Sequence, residues 1–198
     1  MRILGIDPGL INVGWAVVED GKLLTCGVFN MTHKVIRKDR KRYAYLVRRF
    51  MRYKLFKSCD VVVIERQMSG KLRVVANSFL CFNWGHSFLV SPRAVRNHHG
   101  ISMSNYRANK KASVARVPRY MTRKQNHRFR SAKKRDDMAD AVLIAMYWYE
   151  TSGGQEIPSD SESDFDLSDN DVVIEEDKDG DMTEAPSIRS DSLLKLTC

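Results

Sequence analysis

Asp7, Glu65, Asp137 and Asp140 are the side chains with which this sequence could do chemistry. Asp7 closes the apolar run Ile3-Leu4-Gly5-Ile6 and is followed by Pro8-Gly9; Glu65 closes Val61-Val62-Val63-Ile64. Asp137 and Asp140 lie three apart in an amphipathic stretch, which puts both on one face of a helix, whereas Asp136 points about 100° away and reads as a cap. A charge at the end of a buried strand needs a partner. Four carboxylates packed together cannot all stay ionised without cations. Carboxylate oxygens are the ligands Mg²⁺ prefers, completed by water and substrate phosphates. Two such ions, with Mn²⁺ as a substitute, activate a water and stabilise the leaving oxygen of an in-line phosphoryl displacement. Each acid also has an ordinary reading: a turn acid at Asp7, a local Glu65–Arg66 pair, caps and solvated helix positions further on. All four at the right end of the right element argue against coincidence.

The elements that must position them follow from periodicity. The first strand ends at Asp7, where Pro8 removes a donor and Gly9 permits a turn. Gly14 to Glu19 and Lys22 to Phe29 form two more strands joined by the hairpin signal Asp20-Gly21, so the first three strands make an antiparallel meander. Tyr43, Leu46, Val47, Phe50, Met51 and Leu55 recur at helical spacing between Asp39 and Ser58. Val61–Ile64, four consecutive aliphatics, read as a parallel strand buried on both faces. A helix over Lys71–Trp84 and a fifth strand at Ser87–Val90 come next, and Ser91-Pro92 opens a further helical turn. The expectation is an α/β fold with a mixed five-stranded sheet flanked by helices. A helix spans Tyr106–Val117, the rest to Arg135 is a loop ordered only on DNA, and Asp136–Tyr149 is the last helix.

Charge divides the chain. After Glu150 there are 14 Asp+Glu and 3 Lys+Arg, a net of −11; removing them from the chain's 33 Lys+Arg and 24 Asp+Glu leaves 30 and 10, a net of +20 for residues 1–150. A body so basic fits a polyanionic partner. Its segment from Arg93 to Arg135 has no acid and interleaves Tyr106, Tyr120 and Phe129 with cations, the pattern for phosphates and stacked bases. Arg93, Arg96, Arg107, Lys110, Lys111, Arg128, Arg130, Lys133 and Lys134 are the DNA-binding candidates. Lys133-Lys134-Arg135 also reads as a nuclear address. Residues 151–198 are expected to be a disordered acidic tail, a DNA mimic, a partner-recruiting segment or an aid to solubility. Cys26, Cys59 and Cys81 sit among apolar residues as reduced core thiols. No signal peptide or membrane span is expected, and a reducing intracellular compartment follows. A zinc site from His98, His99, His127 and a cysteine matches no finger spacing.

The ordered motifs GIDPG, VVVIERQ and KKRDDMADAVLIAM resemble the RuvC-like Holliday junction resolvases, and IERQ, NYRANKKASV and RDDMADA are most similar to their poxvirus-type branch. The resemblance covers residues 1–150. It implies an RNase H-like fold and a nuclease that cuts four-way or other branched DNA in recombination, repair or viral genome processing. It implies that Asp7, Glu65, Asp137 and Asp140 hold the metals and that Lys111 in KKASV lies near the scissile phosphate, with Lys110 the neighbouring choice. It implies a homodimer, whose face is expected on the Lys71–Trp84 helix through Phe79, Leu80, Phe82 and Trp84, and a place of action at sites of DNA replication, in host cytoplasm or nucleus. Met68 stands where bacterial members carry an aromatic residue.

Three other readings compete. A related nuclease of this fold would cut flaps or RNA–DNA hybrids. An actin-like or sugar-kinase ATPase would need a second phosphate-binding glycine loop and a second lobe, for which residues 1–150 have no room. A non-catalytic nucleic-acid scaffold would gain nothing from four acids at strand ends.

Overall fold

The computed structural model describes residues 1–32, 42–83 and 85–152. Five strands, β1 (Arg2–Asp7), β2 (Asn12–Glu19), β3 (Lys22–Asn30), β4 (Val61–Glu65) and β5 (Ser87–Val90), form one sheet in the order β3-β2-β1-β4-β5. β1–β2 and β2–β3 pair antiparallel, β1–β4 and β4–β5 parallel, as the sequence implies. Asp20 and Gly21 take positive φ angles of 48° and 74° in the β2–β3 turn, the left-handed pair a tight hairpin demands.

The sheet carries a helical layer on each face. On one face lie α1 (Arg42–Met51), the single turn α2 (Lys54–Lys57) and α3 (Gly70–Phe82). Their core is aromatic: Phe50 stacks on Phe56 at 4.3 Å, Phe56 meets Trp15 at 5.0 Å, and Phe79 meets Phe50 at 5.4 Å. This cluster explains why the helix expected as one piece from Asp39 to Ser58 is broken. Tyr53 is extended at φ −62°, ψ 133°, which turns Phe56 back onto Phe50. Residues 39–41 lie outside the described residues.

On the other face, α7 (Arg135–Ser152) crosses β1 and β2 and buries Met138, Ala139 and every residue from Ala141 to Met146. Between β5 and α7 run α4 (Pro92–His98), α5 (Tyr106–Arg116), a 3-10 turn (Val117–Tyr120) and α6 (Arg123–Ser131). The segment after Val117 is therefore folded, not a loop. Thr122 and Gln125 form a reciprocal cap at the start of α6, and the Gln125 amide donates to the carbonyls of Leu23 and Leu24. Phe129 anchors this helix, at 2% exposure. Composition hid it, because cations outnumber the one buried ring.

Two expectations about packing change. Cys81 is exposed, since it lies on the outer side of α3, while burial pushes the Cys26 and Cys59 thiols up to about 12. Phe79 is fully buried under α3 and cannot serve an interface, whereas Phe82 and Val74 are 43% and 52% exposed. Trp84 and the acidic stretch beyond Ser152 lie outside the described residues; Thr151 and Ser152 continue α7.

Candidate active site

Asp7 and Glu65 stand at the ends of adjacent parallel strands, one residue past the last register pair, Ile6 with Ile64. Side chains alternate across a strand, so both point to the face covered by α7. The first turns of α7 bring Asp137 and Asp140 down beside them. The approach depends on small residues. A Cβ added to Gly14, the register partner of Asp7, would overlap the Asp137 carbonyl, and one on Gly5 would overlap the Ala141 carbonyl.

All four acids line one cavity of about 500 Å³, together with Gln67, Arg96, Asn105, Tyr106, Asn109 and Lys110. The electrostatics are those of like charges confined together. Burial raises Asp7 well above the ordinary carboxylate range, and Glu65 and Asp140 raise it further. Burial and Asp140 raise Glu65, against a 2.8 Å hydrogen bond from the Gln67 amide. Burial and the neighbouring Asp136 raise Asp137. Asp136 is thus inside the first turn of α7, adding negative charge, and is not the residue that precedes the helix.

Lys110 is the cation in closest contact with this cluster among the described residues. Lys110 on α5 hydrogen-bonds Asp140, and its ammonium lies 3.9 Å from both Asp7 and Asp137. Burial opposes that charge, but Asp140 and Asp7 outweigh it and hold the ammonium above its ordinary value. The lysine expected here, Lys111, is exposed instead. The reason is helix phase. Ser113, the buried residue of α5, shares a face with Lys110 three positions before it, and Lys111 is turned about 100° away. Asn105 caps α5 through Ala108, and Asn109 accepts from the Met103 amide at 2.7 Å, which fixes that phase.

The other expected DNA contacts divide. Arg96 lines the cavity and its charge lowers Glu65. Arg93, Arg107, Arg128, Arg130, Lys133 and Lys134 are exposed on or beside α4 to α7. Met68 at 85% and Tyr106 at 75% are the most exposed large apolar side chains of the described residues. Tyr106 borders the cavity, with the Lys110 ammonium 5.8 Å from its ring centre. Sequence reasoning missed the roles of Gly5, Gly14 and Gln67. The two glycines within strands were a usable signal, because glycine in a strand often marks close backbone approach.

A group that fits this site is a hard divalent cation. The donors are carboxylate oxygens, their mutual repulsion is relieved by positive charge, and the cluster already draws in an ammonium.

The fold and site together define an α/β protein of the RNase H-like class, with four acids gathered at the carboxyl ends of its central strands. Comparison with solved structures agrees. Fowlpox virus resolvase in complex with substrate Holliday junction DNA aligns at 19% identity with a TM-score of 0.58, over 77% of this chain and 99% of that one. A second structure, the Fowlpox virus Holliday junction resolvase, aligns at 20% identity and 0.55 over the same shares. Thermus thermophilus RuvC aligns at 19% identity and 0.54, over 77% and 97%. These likenesses establish the fold. No curated protein sequence matches the chain. A family model described as Poxvirus A22 protein matches residues 1–151. The chain belongs to the poxvirus A22 protein family.

Proposed function

We propose that this protein is a structure-specific endonuclease that resolves Holliday junctions by paired, metal-dependent phosphodiester hydrolysis. The observation that carries the reading is the meeting of Asp7, Glu65, Asp137, Asp140 and Lys110 in one cavity beside cationic helices. Its family and its structural neighbours, two of them Holliday junction resolvases by description, support the substrate.

In this account Asp7, Glu65, Asp137 and Asp140 hold two divalent cations, Mg²⁺ in the first instance. When bound, those cations supply an activated water and a stabilised leaving oxygen. Asp7, at the end of the central strand and electrostatically coupled to the other three acids, would be the ligand the two ions share. Gln67 fixes the Glu65 carboxylate through its 2.8 Å hydrogen bond. Lys110 is the protein cation nearest the reacting phosphate and offsets charge as it develops. Arg96, Arg93, Arg107 and Lys111 hold flanking phosphates, and the cations of α6 and of the Lys133-Lys134 stretch extend the track. The nuclease body runs through the end of α7 at Ser152, and the sequence beyond it is an acidic tail. A four-way junction has near two-fold symmetry, so a homodimer, with α3 contributing Val74 and Phe82, would set two sites on opposed strands. Inside an infected cell it would act where DNA is replicated.

The test is a panel of synthetic four-way junction, flap, linear duplex and RNA–DNA hybrid, each with Mg²⁺, with Mn²⁺ and with chelator. Paired symmetric nicks in the junction, only with metal, are the expected result. Preferred cutting of the flap or hybrid would overturn the substrate assignment, and tight binding without cutting would overturn the nuclease.

A further inference from the structure

Away from the acidic cavity, three side chains converge that the nuclease does not use. His98 ends α4, His99 follows it, and Glu150 lies in the last turns of α7. One ligand atom from each lies within 4.8 Å of the others. His98 Nε2 is 2.6 Å from a Glu150 carboxylate oxygen. His99 is buried, at 1% exposure. Its Nε2 is 2.8 Å from the Leu143 carbonyl, which can only accept, so that nitrogen carries the proton. The lone pair is left on Nδ1, whose protein neighbour is the Tyr120 hydroxyl at a long 3.3 Å.

We propose that His98, His99 and Glu150 form a second metal site, for a single Zn²⁺ or similar imidazole-preferring ion, that clamps the end of α4 to the end of α7. Three features argue for it. Two imidazole nitrogens and one carboxylate are a common ligand set for Zn²⁺ that leaves a fourth position open. A ring nitrogen donating to a backbone carbonyl is the usual outer-shell arrangement of a ligating histidine, because it fixes the tautomer and orients the lone pair. The donors also select the ion, because two of the three are imidazole nitrogens, which suit Zn²⁺, whereas Mg²⁺ takes oxygen ligands.

This differs from a zinc site built on His127 and a cysteine. His127 is exposed on α6 among Arg123, Lys124 and Arg128, and no cysteine joins the cluster among the described residues. The clamp would fix the far end of the helix that begins with Asp137 and Asp140.

The experiment is Co²⁺ titration of the full-length, metal-stripped protein, read by visible absorption, with zinc content measured after Zn²⁺ loading and dialysis. The expected result is about one equivalent of tightly held metal and the intense bands of a four-coordinate, nitrogen-bearing site. Those bands should vanish in His98→Gln and Glu150→Gln, both partly exposed and checked for folding by circular dichroism, and persist in Asp7→Asn. Bands absent from the wild type, retained in both cluster variants, or lost in Asp7→Asn would overturn the site and leave the cluster a hydrogen-bonded clasp.

Discussion

The α-carbon of Gly14 lies against the backbone carbonyl of Asp137, with no room for a Cβ between them. Because Gly14 is the register partner of Asp7, that contact sets the height of α7 over the sheet and the separation of Asp137 from Asp7. Gly14→Ala should destabilise by about 1–3 kcal/mol, the usual cost of forcing a methyl into packed structure. It should reduce cleavage further than the lost folded fraction explains. Thermal melts and single-turnover rates below the melting range check this, with Gly70→Ala, whose Cβ meets nothing within 4 Å, as the tolerated control.

Replacing the two adjacent lysines separates catalysis from binding. Lys110→Ala should lower the cleavage rate by about 10²-fold, the scale for losing one charge-stabilising group at a reaction centre. Lys111→Ala should leave the rate of bound junction unchanged while lowering the salt dependence of binding by about one ion. Equal effects in both would mean that α5 does not present Lys110 to the site.

The contrast between those lysines shows what was legible in the sequence. Asp7, Glu65, Asp137 and Asp140 could be named because two close strongly patterned strands and two lie in the first turns of a strongly patterned helix. Val61–Glu65 and Ser87–Val90 have the same bounds in sequence and structure, since short apolar runs bounded by turns admit little else. The choice of Lys110 over Lys111 depends on the phase at which α5 docks on α7, which local sequence does not carry. The helix at Arg123–Ser131 was hidden because its only buried side chain is Phe129. The break at Tyr53 was hidden because it turns Phe56 onto Trp15, from a distant part of the chain. The His98–His99–Glu150 cluster joins residues about fifty positions apart.

The raised acids give a pH dependence of known sign. Asp7 ionises at 3.8 in an unfolded chain and well above that when folded. Between those values the folded state binds more protons, so stability falls as pH rises through the window. Glu65 acts in the same direction from 4.5. In chelator, Asp7→Asn should therefore melt above the wild type at neutral pH and show a flatter pH profile. Mg²⁺ should raise the wild-type melting temperature most at the alkaline end of the window, where both acids are ionised. Thermal melts from acid to neutral pH check both statements; a wild type that gains stability with rising pH there, relative to Asp7→Asn, would contradict them.

The cations of α6 predict a binding effect without a catalytic one. Arg128 and Arg130 are exposed on a helix tied to β3 by Gln125. The double change Arg128→Ala with Arg130→Ala should weaken junction binding regardless of base sequence and reduce the salt slope by about two ions. Thr122→Ala, which removes the cap, should cost about 1 kcal/mol of stability and weaken binding only through that loss. Affinities measured across a salt series, beside chemical denaturation, distinguish the two.

The central claim is that the acids at the strand ends and on α7 work by holding metal. It is tested most directly by Asp137→Asn and Asp7→Asn on a synthetic four-way junction with Mg²⁺, following binding by gel shift and cleavage by strand mapping. The account predicts that both variants bind the junction at least as tightly as the wild type, having lost a negative charge near phosphate. It predicts that cleavage falls by about 10²-fold or more. Wild-type cleavage by either variant, or equal cleavage by the wild type in chelator, would contradict it.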